Sequence, residues 1–328
     1  MNAPKFMKTL QIEAPGQAVW KDAPVPEPGP GEVLIKVLGV TTCPHWDMHI
    51  MDGEPMFPGH RLEYPYLPGQ PGHEATGEVV ALGPDTRELK VGDRVVAWQD
   101  TGQPRPGFYA QFNAFPEVSL LAIPQSLRVE QIASLELAMC VQVTFDQIAA
   151  HGGLEGKRVA LSGLGPAGLV AVQMARAYGA TEIVCLDPVD ARHDLARALG
   201  ATRVEAPKVS LFPAGRAGAG AFDVGIDLTG LPVSIEFLMD RSKELVALFG
   251  VLRQEVRFGF RHLFGPGLTL MGYGDHNRGA GQRALQLVLD GKLKLDALVT
   301  ESMGFDRYAE GVEMLRRKEA IKILYLPW

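Results

Sequence analysis

Cysteine is scarce in this chain: three residues in 328, at Cys43, Cys140 and Cys185. Thiols so few and so far apart make no disulfide framework, and reduced cysteines are expected. No run of Lys or Arg is long enough to neutralise a phosphate backbone, and the formal net charge is −6, which argues against a nucleic-acid partner. No apolar stretch approaches the roughly 20 residues of a membrane-spanning helix, so no membrane partner is expected. The opening residues, MNAPKFMKTLQIEAPG, lack a basic segment followed by an apolar one, so no signal peptide is read there and a cytoplasmic location is expected. What is present is the composition of a globular protein, 46% hydrophobic and 21% charged. The chain is too long for one ordinary core, so two domains are expected.

The first 150 residues read as short strands separated by turns. EVLIKVLGV (32–40), EATGEVVALG (74–83), VGDRVVAW (91–98) and SLLAIP (119–124) carry strand character, with Pro and Gly clustered between them at 24–31 and 55–72. From about residue 131 the texture changes. Residues 132–150 predict an apolar helix, KRVALSG a buried strand, GPAGLVAVQMARAYGA a helix and EIVCLD a second strand. DARHDLARALGA predicts another helix and AFDVGIDLTG (221–230) another strand, while 206–220 reads as loop or poorly formed helix and 246–258 as strand-like. Strands alternating with helices of this length indicate a parallel, doubly wound sheet.

Between the first strand and helix of that alternation lies Gly163-Leu164-Gly165-Pro166-Ala167-Gly168, a G-x-G-x-x-G. Alone the motif is weak; its context, with an acid (Asp187) ending the second strand, makes it a dinucleotide fingerprint. The first glycine permits a tight turn and the second lets backbone approach a pyrophosphate. The third lets helix and strand pack closely, and the amides of the helix start face the phosphates. A carboxylate at Asp187 accepts hydrogen bonds from the adenosine ribose and repels a 2′-phosphate, so NAD is favoured over NADP. Arg192, five residues beyond, weighs the other way by attracting a phosphate.

Cys43, His73, Glu74 and Cys140 are of zinc-donor types, but their separations are too long for a local-motif test. Each also has a plainer role open to it: Cys140 as core on an apolar helix, His73 as a turn residue, Cys43 as a half-buried thiol.

GHEATGEVVALGPDTRELKVGDRV strongly resembles the zinc-proximal segment of the medium-chain dehydrogenase/reductase superfamily, its zinc-dependent alcohol dehydrogenases in particular. EPGPGEVLIKVLGV resembles the family's opening strands, VALSGLGPAGLVAVQMARAYGA and LARALGA its cofactor half, and EAIKILYLP its last strand. The resemblance implies an α/β protein. A GroES-like β-rich catalytic domain (1–140 and 272–328) would surround a Rossmann domain with a doubly wound parallel sheet (141–271). It also implies roles. Cys43 and Cys140 match the thiolate ligands, His73 the metal histidine and Glu74 the acid beside it. Thr144 matches the residue packing on the nicotinamide, Asp47 a carboxylate orienting the ligand histidine, and His49 the histidine passing a proton to solvent. Lys322 matches a basic residue near the cofactor pyrophosphate, and Arg192 one at the adenosine ribose.

Two features depart from the family pattern. Asp47 follows Cys43 by four residues rather than three, in the run Cys-Pro-His-Trp-Asp, so either Cys43 still reaches the metal or His45 substitutes. Trp46 fills the place of the relay hydroxyl and accepts no proton, which leaves His45, His49 or a water to do so. The stretch 99–110, QDTGQPRPGFYA, lacks the family's four close cysteines, so one catalytic zinc per chain and no structural zinc are expected.

The expected function is zinc-assisted hydride transfer between an alcohol or carbonyl substrate and NAD(H). A zinc-free quinone or enone reductase of the same fold is the first alternative, favoured by Trp46 and the irregular Cys43 segment and opposed by His73, Glu74 and Cys140. A non-catalytic NAD(H)-binding protein is the second. Trp46, Phe57, Trp98, Phe108 and the loop MGYGDH (271–276) suggest an apolar or ring-bearing small-molecule substrate. A homodimer or homotetramer follows the family's habit.

Overall fold

The computed structural model describes residues 4–99, 105–218, 220–264 and 267–327. The chain divides into two units: Met1–Met139 with Asn277–Val288 and Lys294–Trp328, and Cys140–His276 with Leu289–Leu293. The divisions fall at 139/140 and 276/277, against 140/141 and 271/272 in the sequence-based expectation.

The first unit is built on β-structure from both chain ends. Its seven-stranded sheet runs in the order Val299–Gly304, Lys322–Leu326, Glu32–Thr41, Glu74–Leu82, Arg94–Ala97, Leu120–Ala122, with Phe112–Pro116 also paired to Glu32–Thr41. A separate hairpin joins Phe6–Ala14 to Gln17–Pro24. In Glu32–Thr41 the side chains of Val33, Leu34, Ile35, Val37 and Val40 are buried and Lys36 is exposed, as in a strand covered along most of both faces. Leu324 and Tyr325 near the chain's end pair with Thr41 and Val40 near its beginning, so the ends are held together by the sheet. Behind it lies an aromatic cluster, with Tyr109 packed on Tyr308 (5.0 Å between centroids) and on Tyr325 (5.6 Å), and Phe305 stacked on Trp20 (5.0 Å).

After Thr41 the chain enters helix α1, Pro44–Asp52. Cys43 caps it in extended conformation, and Pro44 at the first helical position supplies a preset φ where no amide partner is needed. Gly53 ends it at φ +75°, where a Cβ would also lie 2.7 Å from Pro15 Cγ. Glycine is therefore required there on two counts.

The second unit is a six-stranded parallel sheet in the order Arg203–Glu205, Glu182–Leu186, Arg158–Ser162, Phe222–Asp227, Ser242–Leu248, Thr269–Met271. The strand order reverses between Arg158–Ser162 and Phe222–Asp227, the switch point at which such sheets bind ligands. The two helices that matter most for the site are α2, Leu135–Ala150, and α3, Pro166–Ala177.

Two expectations are corrected, and 206–220 takes the loop form of its two readings. The strand-like 246–258 segment is strand only as far as Leu248, and that strand is interior; Thr269–Met271 forms the edge. Among the described residues, 206–220 holds neither helix nor strand. Residues 129–150 are long and apolar enough by composition to cross a membrane, but 72% of their most apolar stretch is buried inside the protein. That is the character of a core helix.

Candidate active site

Within the first unit, donor atoms of Cys43, His73 and Glu74 all lie within 4.8 Å of one another. The four-residue step from Cys43 to Asp47 is one helical turn, closed by the Asp47 amide donating to the Cys43 carbonyl at 2.9 Å. Cys43 thus starts α1 and lies close to His73, whereas His45 is exposed. His73 precedes the strand Glu74–Leu82, and its Nδ1 is 2.8 Å from the Pro71 carbonyl. A carbonyl only accepts, so Nδ1 carries the proton and Nε2 keeps the lone pair a metal needs. Nε2 lies 3.8 Å from Glu136 Oε2, both side chains being buried. Ligands on one tetrahedral zinc, at about 2.0–2.3 Å from it, are about 3.3–3.8 Å apart. The spacing of His73 and Glu136 therefore fits a shared ion.

Glu74 is otherwise engaged. Lys322 Nζ donates to both its carboxylate oxygens at 2.6 Å, and Thr41 donates to Oε2 at 3.1 Å. Lys322 is fully buried and Glu74 1% exposed. Lys322, expected beside a cofactor pyrophosphate, instead has its ammonium on Glu74 inside the first unit. The charge of the acid next to His73 is thereby offset, and its lone pairs are largely occupied.

Asp47 is also fully buried, with Oδ1 accepting from the hydroxyls of Tyr109 and Tyr308, each at 2.9 Å. Its Oδ2 has no hydrogen-bond partner among the described residues. Burial pushes this carboxyl up to about 6, although the two tyrosine hydrogen bonds, the charge of His73 and the Cys43 backbone amide pull it down. A bare carboxylate oxygen in a dry core is costly, and a cation on His73 supplies the opposing charge. Pro71 fixes the His73 tautomer, and Asp47 acts on that ring through its charge. The donor types and this orphaned oxygen together fit a zinc ion.

Trp46 presents its ring edge-on to His73, 6.4 Å between centroids, and to Phe57, 5.8 Å. Phe57 in turn meets His60 at 5.5 Å. His49 has 15% side-chain exposure, with Nδ1 3.8 Å from the exposed carboxylate of Glu54. The His45 and His49 rings are 6.4 Å apart.

In the second unit, Gly163 adopts φ +97° and Gly168 stands so close that a Cβ would meet the Gly163 carbonyl at 2.0 Å. Gly165 caps α3 without a side-chain hydrogen bond, and nothing lies within 4 Å of where its Cβ would be. That open space before uncapped amides suits a pyrophosphate. Asp187 ties the loop to the second strand: its Oδ2 accepts from the Leu164 amide at 2.6 Å and Oδ1 from the Val189 amide at 2.7 Å. Each oxygen retains a lone pair for a ribose hydroxyl. Arg192 Nη1 is 4.0 Å from Asp187 Oδ2, where it partly offsets the charge. Thr144, on α2, is 2% exposed, and its hydroxyl has no hydrogen-bond partner among the described residues. Cys140, expected as a zinc ligand, has its Sγ 3.4 Å from His276 Nε2.

Glu136, Tyr109, Tyr308 and His276 were not singled out from the sequence. Only Glu136 carries a sequence signal, as the one acid in the apolar opening turns LELAMC of α2; the structure buries it to 6% exposure. Residues 100–104, within the stretch read as lacking a structural-zinc lobe, lie outside the described residues.

Residues 29–125 match the family described as the alcohol dehydrogenase GroES-like domain, and 166–290 the family described as zinc-binding dehydrogenase. An L-threonine 3-dehydrogenase of Pyrococcus horikoshii is 30% identical over 332 residues, covering 92% of this chain and 93% of that one. Another, of Thermococcus kodakarensis, is 30% identical over 99% of both chains. The crystal structure of 2R,3R-butanediol dehydrogenase from Bacillus subtilis superposes with TM-score 0.85 at 24% identity, covering 98% of this chain and 100% of that one. A Sinorhizobium meliloti protein described as a zinc-binding dehydrogenase, solved with NADP, superposes with TM-score 0.82 at 26% identity, covering 99% and 100%. With the β-rich unit, the parallel sheet and the fingerprint loop in the same chain, these matches make it a member of the zinc-dependent, alcohol dehydrogenase-like medium-chain dehydrogenase/reductases, an oxidoreductase of the alcohol type that works with zinc and a nicotinamide cofactor.

Proposed function

We propose that the chain interconverts an apolar secondary alcohol and its ketone with NAD(H), on a single zinc held by Cys43, His73 and Glu136. The approach of Glu136 Oε2 to His73 Nε2, 3.8 Å in a buried setting, carries this ligand set; Cys140 is the alternative thiolate, and Glu74 is neutralised by Lys322. The relatives' names specify position 3 of threonine, whose hydroxyl is a secondary alcohol. Trp46 and Phe57 supply an apolar wall next to His73, which supports an apolar substituent rather than an amino acid's charged groups.

When bound, zinc supplies Lewis acidity at the alcohol oxygen and the nicotinamide ring accepts the hydride. The chain's own residues do the rest. Trp46 keeps water from one side of His73 and bears on the substrate's apolar group. Its indole N–H only donates, so the proton leaves by His49, which stands partly exposed beside Glu54. The free hydroxyl of Thr144 is available to hold the nicotinamide carboxamide. Asp187 favours NAD by repelling a 2′-phosphate, with Arg192 as a partial counterweight.

The test is a panel of secondary alcohols read by nicotinamide absorbance, with L-threonine included. Apolar alcohols are expected to give the higher kcat/KM, and Trp46→Ala to raise KM for them about tenfold, a loss of about 1.4 kcal/mol of apolar contact. Preference for L-threonine, unaffected by the substitution, overturns the substrate proposal.

A further inference from the structure

Asp47 is a carboxylate with no accessible surface and no cation on either oxygen among the described residues. Two phenols satisfy one oxygen, and they come from distant parts of the chain: Tyr109 from the segment leading to the strand Phe112–Pro116, Tyr308 from the first position of the helix Tyr308–Arg316. Both are nearly or fully inaccessible, at 0% and 1% exposure. Two buried hydroxyls converging on one oxygen fix the carboxylate's rotation and leave the other oxygen without a side-chain partner among the described residues. A core residue meant only to fill space does this more cheaply as an apolar side chain. The same aromatic cluster contains an internal comparison. Tyr325 is equally buried, but its hydroxyl donates to the Tyr308 carbonyl at 3.0 Å and makes no hydrogen bond to Asp47 among the described residues.

We infer that Tyr109 and Tyr308 are positioning residues of the zinc site: through Asp47 Oδ1 they hold that carboxylate's negative charge beside His73 and so set the affinity for the metal. The inference rests on the proposed zinc site. Groups that support metal ligands from behind typically change metal affinity 10–100-fold when removed. Each phenol here provides one of the two side-chain hydrogen bonds to Asp47 among the described residues, so the lower end of that range is expected for each.

The experiment is competition for zinc between the full-length protein and a chromophoric chelator, on the wild type and on Tyr109→Phe, Tyr308→Phe and Tyr325→Phe. Thermal unfolding of the metal-free proteins is recorded alongside. Tyr109→Phe and Tyr308→Phe are expected to raise the zinc dissociation constant about tenfold, with Tyr325→Phe within twofold of wild type. Asp47→Asn keeps the shape and an acceptor for both phenols but removes the charge, and it is expected to weaken zinc at least as much as either tyrosine variant. It serves as the deciding variant if a tyrosine substitution prevents folding. Unchanged affinity in Asp47→Asn, or equal losses in all three phenylalanine variants, overturns the inference. If the wild type itself binds no zinc, the site proposal falls instead, and the two failures are distinguished.

Discussion

Replacing Lys322 by Met removes the one charged hydrogen-bond partner that Glu74 has among the described residues. The methionine stem follows the lysine stem, so little packing volume is lost. What remains is a carboxylate with 1% exposure, holding only the Thr41 hydroxyl at 3.1 Å in place of two 2.6 Å bonds to an ammonium. Removing one partner of a buried ion pair costs about 3–5 kcal/mol, because the other charge is left uncompensated. A domain of 150–250 residues loses about 2–4 °C of Tm per kcal/mol, so a drop on the order of 10 °C is expected. Calorimetry or urea unfolding followed by circular dichroism reads it. Adding Glu74→Gln to Lys322→Met removes the stranded charge and is expected to recover a large part of the loss. The partly exposed pair Arg316–Asp52, with 39% and 33% side-chain exposure, is the contrast: Arg316→Ala is expected to cost no more than about 1 kcal/mol. A loss under about 1 kcal/mol for Lys322→Met, as for a surface pair, refutes the assignment of Lys322 to Glu74.

The cysteines should separate by reactivity. Cys185 is buried in the second strand of the parallel sheet and burial pushes its thiol up to about 12, so it should react with a disulfide reagent only after unfolding, while the partly exposed Cys43 and Cys140 react in the native protein and zinc protects Cys43. At Asp240, burial raises the carboxyl pKa but hydrogen bonds from His262 and Arg261 outweigh it and hold it below the usual value. Its contribution to stability is therefore full above the unfolded pKa of about 3.9 and is lost as pH falls through the lower folded value. Asp240→Asn should flatten the acid limb of a stability–pH curve below about pH 4, and an unchanged limb contradicts this. At Asp187, substitution by Asn removes the charge that repels a 2′-phosphate while keeping an acceptor; the ratio of NAD to NADP efficiency should fall by about tenfold, or about 1.4 kcal/mol, and an unchanged ratio would place coenzyme choice elsewhere.

Much of the architecture was legible in the residues because it rests on local patterns. RVALS and EIVCL hold the apolar cores VAL and IVCL, as strands covered on both faces do, and the spacing of Gly163, Gly165 and Gly168 needs only the strand before and the helix after. The proposed metal site is legible in part. His73 and Cys43 carry zinc-donor chemistry on their own, but the Cys-Pro-His-Trp-Asp run looked like an insertion. It becomes regular only once Cys43 is seen to cap α1, which makes the four-residue step one helical turn. Glu136 could not be ranked from sequence, since its meaning lies in its 3.8 Å approach to His73. Tyr109 and Tyr308 were equally silent: a phenol in an aromatic cluster reads as packing until its hydroxyl is found on Asp47. The resemblance places Lys322 at a pyrophosphate, and the sheet pairing of the last strand with Thr41 is what delivers it to Glu74.

The central claim is that catalysis depends on one zinc held by Cys43, His73 and Glu136. Its most direct test is zinc per chain by plasma mass spectrometry on wild type, Glu136→Gln and Cys140→Ser, with alcohol oxidation assayed on the same samples before chelation, after it and after zinc is returned. The account predicts about one zinc per chain in wild type and Cys140→Ser, a large loss in Glu136→Gln, and wild-type turnover that disappears with the metal and returns with it. Zinc retained in Glu136→Gln but lost in Cys140→Ser would contradict the ligand set, and full turnover in zinc-free protein would contradict the claim itself.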